Sequence, residues 1–135
     1  SKALTANTTG ASNVAIGREA LAANTTAASN VAVGKHALRA NTTGTGNLAV
    51  GKDAGLGITT GDQNVAIGFE ALKTEDTGSS SVAVGALALA TQNAGDGDHY
   101  NTAVGRKAGF AVTTGTNNTF IGGLAGVAKQ SVQML

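Results

Sequence analysis

The chain has 135 residues, a formal net charge of +1, and no cysteine, proline or tryptophan. That balance offers no basic footprint for nucleic acid and no acidic tail. No disulfide holds the chain, and no apolar run approaches the roughly 18 residues that span a bilayer. Hydrophobic residues make up 41% of it, mostly Ala and Val, with three Phe and one Tyr. These are few large side chains for an ordinary globular core. The 20 glycines follow no G-X-Y period, which excludes collagen.

From its first residues the chain repeats itself. "SKALTANTTG" already lies in register with the later units, so the chain is expected to be a piece of a longer protein, with no signal pattern at its start. Seven units of the form N-x-A-x-G come next, closing on Gly17, Gly34, Gly51, Gly68, Gly85, Gly105 and Gly122. The glycines are 17 residues apart everywhere except between Gly85 and Gly105, where the spacing is 20. The units open on Asn13, Asn30, Asn47, Asn64, Asn101 and Asn118, with Ser81 in the fifth.

Within a unit, the stretch from the Asn to the Gly alternates with period two, as a strand does. Val14 and Ile16, and their copies as far as Thr119 and Ile121, share one face. Ala15, Ala32, Ala49, Ala66, Ala83 and Ala103 line the other, with Phe120 in the last unit. After the glycine an Ala stands in all seven units, followed by Leu21, Leu38, Leu72 or Leu89 in four of them. Gly55, Gly109 and Gly126 replace that Leu elsewhere, with Leu56, Phe110 or Val127 one place later. This segment favours helix by composition, but about seven residues are too few for a stable helix. A second short strand is expected, then a polar turn such as Asn24-Thr25-Thr26.

Two short strands and two turns per unit predict one coil of a parallel β-solenoid, stacked at roughly 4.8 Å per coil. Gly17, Gly34, Gly51, Gly68, Gly85, Gly105 and Gly122 would form tight corners, and the column from Asn13 to Asn118 an amide ladder. Large residues on one face and alanines on the other predict that sister copies of the chain cover the alanine side.

The cores "NVAIG", "SVAVG" and "NTAVG" resemble the YadA-like head repeats of trimeric autotransporter adhesins. The full form N-x-A-x-G-x-x-A-L-x-x-N-T-T-G is also similar to repeats of phage tail fibres and related bacterial surface fibres. The resemblance covers essentially the whole chain. It implies an all-β, left-handed parallel β-roll of about seven coils over residues 1–128, three chains about a common axis, and a transition toward a neck or another module over 129–135. It further implies attachment to a host or target cell, from a cell surface or a virion tail, through a glycan or protein receptor. Ser81, the three Ala-Gly units and Phe120 depart from the family pattern. Phe120 is expected to crowd the axis and mark a widening there.

The insertion in the fifth unit, "TQNAGDGDHY", is the one stretch the repeat does not shape. It collects Asp96, Asp98, His99 and Tyr100 between glycines, a candidate ligand loop on a rigid scaffold. "DGD" lacks the distal Glu of a calcium loop, so no metal site and no cofactor are expected. Arg18, Lys35 and Lys52 form a basic column interrupted by Phe69 and Ala86 and flanked by Glu19 and Asp53, as solvated turns are. His36 is expected to be exposed. No nucleophile constellation stands out, and 17 is not a multiple of the hexapeptide period of left-handed β-helix acyltransferases. The Thr-Thr pairs are adjacent, not alternating as an ice-binding face needs. A non-enzymatic fibre segment that adheres, or one that only spaces other modules, is the expectation.

Overall fold

The computed structural model describes residues 2–127. The predicted transition over 129–135 lies outside the described residues. No helix occurs among those described; the elements are β1 (Val14–Ile16), β2 (Val31–Val33), β3 (Leu48–Val50), β4 (Val65–Ile67), β5 (Gly78–Ser79), β6 (Val82–Val84), β7 (Gly97–Asp98), β8 (Thr102–Val104) and β9 (Thr119–Ile121). Seven of them form one parallel sheet in the order β1-β2-β3-β4-β6-β8-β9, while β5 and β7 pair separately. Val14 lies opposite Val31, Leu48 opposite Val65 and Val82 opposite Thr102, so each step of the sheet is one sequence repeat. The result is a β-solenoid of about six turns.

The strand faces are reversed from expectation. The alanines point into the coil, where Ala32, Ala49, Ala83 and Ala103 are fully buried within a single chain. The β-branched face points outward, with Ile16 61% and Ile121 66% exposed. The alanine side therefore needs no sister copy to cover it. Its cover is the row of Leu21, Leu38, Leu72 and Leu89 from the opposite wall, all fully buried. Each buried Leu contributes roughly 2 kcal/mol, and the narrow coil has room for that side chain only because its strand partner is a single methyl.

That opposite wall is not a second strand. It is a run of turns in which the backbone goes left-handed twice per coil, as at Glu19 (φ 58°) and Leu21 (φ 49°) or His36 (φ 62°) and Leu38 (φ 49°). A bulky residue rarely takes this conformation. Here inter-coil hydrogen bonds hold it: Leu21 N–H to Ala37 O at 3.1 Å, Leu38 N–H to Ala54 O at 3.1 Å and Leu72 N–H to Ala88 O at 2.9 Å. The same corner explains the Gly units, since Gly55 (φ 57°) and Gly109 (φ 64°) occupy the left-handed Leu position.

The volume lost with that Leu is made up three residues later. Leu21, Leu38, Leu72 and Leu89 are followed at that distance by Asn24, Asn41, Glu75 and Gln92, whereas Gly55 and Gly109 are followed by Ile58 and Val112. A Cβ placed on Gly55 would lie 3.1 Å from Ile58 Cδ1 and 3.0 Å from Leu38 Cδ2, so Ile58 fills the space of the missing Leu. The expected substitutes Leu56, Phe110 and Val127 are only partly buried. Phe120 also points inward, opposite Ala103 in the strand register. A Cβ on Gly109 would meet its ring at 3.0 Å, so the glycines on the far wall make room for it. The crowding is inside the coil, not at an axis between chains.

The asparagines that recur in register satisfy the corners. Asn30, Asn47, Asn64 and Ser81 each donate their backbone N–H to the side-chain oxygen of the Asn one coil earlier, at 2.8–3.0 Å. The Nδ2 groups of Asn30, Asn47 and Asn64 donate to Gly44 O, Gly61 O and Gly78 O at 2.7–2.8 Å. The column is a staircase of amide-to-backbone bonds. Amide-to-amide rungs run through the second column, from Asn24 Nδ2 to Asn7 Oδ1 (2.8 Å) and from Asn41 Nδ2 to Asn24 Oδ1 (3.3 Å), and close the first at Asn118 Nδ2 to Asn101 Oδ1 (3.1 Å).

Candidate functional site

The insertion does not form one protruding loop. The fourth and fifth units are still 17 residues apart at Glu75 and Gln92, but 19 apart where Gly78 pairs with Gly97, and 20 apart at Ser81 and Asn101. Two extra residues are therefore absorbed between Gln92 and Gly97, and one between Asp98 and Asn101. Among the described residues the β5–β7 pairing exists only here. It sets Asp98 beside Ser79 on the outer corner and leaves His99 to turn inward.

Beside that corner lies a polar cleft of about 320 Å³ lined by Thr45, Asp62, Gln63, Ser79, Gly97 and Asp98. Asp62 Oδ1 accepts hydrogen bonds from Thr45 N (2.6 Å) and Thr45 Oγ1 (3.1 Å), and Asp62 N donates to Ser79 Oγ at 2.9 Å. Ser80 Oγ donates to Asp98 Oδ1 at 2.5 Å and Tyr100 OH to Asp98 Oδ2 at 3.1 Å. The hydrogen bond to Asp98, and then its negative charge, hold the Tyr100 phenol protonated above its ordinary range. Two carboxylates, hydroxyls and an amide in a shallow recess suit a neutral polyol better than an anion. Tyr100, 58% exposed, can offer a ring face beside it.

Of the four candidate residues, Asp98 lines the cleft and Tyr100 bonds to it, while Asp96 is exposed elsewhere on the loop. His99 is 2% exposed and cannot be a surface contact. Thr45, Asp62, Gln63 and Ser79 escape a search confined to the insertion. They come from earlier coils, and only the stacking register would have put them there. Among the described residues no group of three or more His, Cys, Asp or Glu side chains is placed to hold a metal ion.

Two members of the basic column pair locally, Arg18 with Glu19 at 3.4 Å and Lys52 with Asp53. Arg39, outside that column, also reaches Glu19 at 3.0 Å, and Lys52 lies 3.5 Å from Asp53 and over the Phe69 ring. His36 is half-buried, not simply exposed: Nδ1 is 2.9 Å from Asp53 Oδ1 and Nε2 3.6 Å from Glu19 Oε2. Burial pushes the Asp53 carboxyl up, but the His36 hydrogen bond and the Lys52 charge outweigh it and hold it below its usual value. The leading Thr of the first three pairs is also occupied, as Thr8, Thr25 and Thr42 donate to the Thr25, Thr42 and Thr59 carbonyls of the next coil. That is the bonding of a turn.

No family model, no curated protein and no solved structure matches the chain.

Proposed function

We propose that this chain is a non-enzymatic segment of an elongated trimeric fibre that attaches to the surface of a host or target cell. The observation that supports it most is the outer face of the seven-stranded sheet. Val14, Ile16, Val104 and Ile121 are exposed, and the matching residues of the intervening strands are only half-covered. Six steps of about 4.8 Å make this an apolar stripe roughly 30 Å long. A chain that stays alone in water seldom leaves such a stripe open. Identical copies packing these faces would cover it, and three copies is the number implied by the likeness to YadA-like heads and phage-type fibres. Rigidity would come from coils bonded to coils along the whole length. Attachment would come from three equivalent weak contacts acting together.

The cleft at Asp62 and Asp98, with Tyr100 beside it, is the contact we assign to a neutral surface glycan. The setting would be the outside of a cell or the tail of a virion. Glycan-array binding of the assembled protein should be lost when residues 93–98 are shortened to the regular spacing. Binding that survives the shortening would leave the cleft without a role. The uniformity of every other coil favours the second reading, a spacer between other modules, and an array with no binding at all would support it. Sedimentation at low concentration tests the assembly directly: a stable, folded single chain would overturn the trimer.

A further inference from the structure

The apolar stripe on the outer sheet face has two unlike borders. On one side stands the residue after each corner glycine, which is Arg18, Lys35, Lys52 or Arg106 in four coils and uncharged in the other three. On the other side runs the column of Thr45, Asp62, Ser79 and Asp98, the corner that lines the cleft. The first border holds cations and no carboxylate. The second holds two carboxylates and no cation.

The charges within the chain leave both borders partly unanswered. The carboxylates one place beyond the basic border are taken, Glu19 by Arg18 at 3.4 Å, Asp53 by Lys52 at 3.5 Å and Glu70 by Lys73 at 3.1 Å. Arg106 is exposed, and among the described residues no carboxylate lies within ion-pair distance of it. Asp98 and Asp62 are exposed as well, and no cation of the described residues reaches them. Asp98 accepts from the Ser80 and Tyr100 hydroxyls, and Asp62 from Thr45.

The sheet register gives every border residue a height along the stack. Strand β8 has Asp98 on one side and Arg106 on the other. Strand β4 has Asp62 on one side and Phe69 on the other, and the Lys52 ammonium leans to that height, 5.4 Å from the centre of the Phe69 ring. No other strand of the sheet has a carboxylate at the cleft border. Rotation about an axis parallel to the stack leaves heights unchanged. It therefore sets the basic border of one copy against the acidic border of the next, level by level.

We propose that the cleft is a site shared between two chains, in which Arg106 of the partner subunit pairs with Asp98 and Lys52 of the partner subunit faces Asp62. This rests on the packing of copies through the apolar stripe and adds that a single chain holds only part of each site. Both carboxylates of the cleft would then be neutralised from outside, as a recess for a neutral glycan requires. The pairing would also set register. An apolar stripe that repeats every coil is little changed by a slip of one step, whereas opposite charges meet at only one alignment.

The chain has no cysteine, so introduced pairs report on this contact alone. Asp98→Cys with Arg106→Cys, treated in the assembled protein with a short bis-maleimide, should give covalent trimers on a denaturing gel. Asp98→Cys with Lys35→Cys, four sheet steps or roughly 19 Å apart in height, should not. A trimer in sedimentation that the first pair fails to link, or equal linking by both pairs, would strike the shared site and leave the trimer standing. Single chains in sedimentation would remove both. A charge exchange gives a second measurement without cysteine: Arg106→Glu should weaken assembly about tenfold, and adding Asp98→Arg should restore it. Weakening that the second change does not repair counts against the pairing.

Discussion

The coils that open at Asn30 and Asn47 and the coil that opens at Ser81 solve the same problem in different ways. In the regular coils the amides that open each unit are answered by backbone, with Asn47 N–H on Asn30 Oδ1 and Asn47 Nδ2 on Gly61 O. In the insertion coil side chains answer one another, from Asn101 through Gln92 to Glu75 and His99. A backbone partner is present whatever the neighbouring residue is, so the regular staircase can be copied from unit to unit. A side-chain web requires every member and every proton to be in place. Ser81 illustrates the exchange. An Asn there would continue the staircase, whereas Ser accepts from Gln92 Nε2.

Glycine substitution breaks this comparison most forcefully. Gly51 (φ +130°) packs so tightly on the next corner that a Cβ would lie 2.7 Å from Gly68 O and 2.8 Å from Gly68 C. Gly97 (φ +108°) has nothing within 4 Å of the same position. Gly51→Ala should therefore cost more than about 3 kcal/mol, combining backbone strain with overlap that only a displaced coil can relieve. Gly97→Ala meets the strain alone and should cost about 1–2 kcal/mol. Chemical denaturation of the two variants checks the order, and equal losses would mean that corner packing does not limit stability.

A compensated swap sharpens the comparison next. Gly55→Leu alone should destabilise by about 2 kcal/mol, because the new side chain competes with Ile58 for one space. Gly55→Leu with Ile58→Asn rebuilds the Leu38 and Asn41 type of coil and should return to within about 1 kcal/mol of the parent. No recovery in the double variant, measured by thermal unfolding, would show that the two positions do not share that volume.

These pairings mark the limit of what the sequence makes legible. The 17-residue period, the strand from Val14 to Ile16 and the Asn and Gly corners are plain in the letters. The inward face is not. Bulky residues ordinarily point inside, and here the alanines do, because Leu21 and its copies fill the centre from a left-handed corner that Leu seldom adopts. The second segment looks extended or helical for the same reason. At the site, Asp98 and Tyr100 stand out because they lie in the insertion that lengthens the fifth unit. His99 stands beside them in sequence but is the extra residue before Tyr100, and the bulge turns it into the core. Glu75 and Gln92 occupy the column of Asn24 and Asn41, and their inward direction becomes visible only once the left-handed corner is known.

Acid should act on the regular coils through one carboxylate, with a smaller effect. The Asp53 carboxyl is held below its usual 3.8 in the folded chain. A lowered folded value means that the group's stabilisation is complete above the unfolded value and is lost as pH falls through the folded one. The His36–Asp53 clasp thus gives way only in strong acid. Asp53→Asn should lower stability at neutral pH by about 1 kcal/mol and remove this part of the acid loss. A pH series of denaturation midpoints measures both. An Asp53→Asn variant whose midpoint falls in acid as steeply as the parent's would show that the clasp contributes nothing to acid stability.

The smallest effect concerns one proton on the insertion coil and needs no change in fold. Tyr100 is the only tyrosine and the chain has no tryptophan, so phenolate absorbance reports this residue alone. Its hydrogen bond to Asp98 Oδ2 and the adjacent negative charge hold the phenol above the usual 10.0. A raised folded value means that the contact stabilises fully below the unfolded value and weakens as pH rises through the folded one. Asp98→Asn removes the charge but keeps an acceptor, so the midpoint should fall back toward 10.0 with stability at neutral pH unchanged. A midpoint at 10.0 in the parent chain would show that Tyr100 does not rest on Asp98 in solution. The rim of the cleft would then be open on that side, and Tyr100 would be free to turn its ring away from the recess.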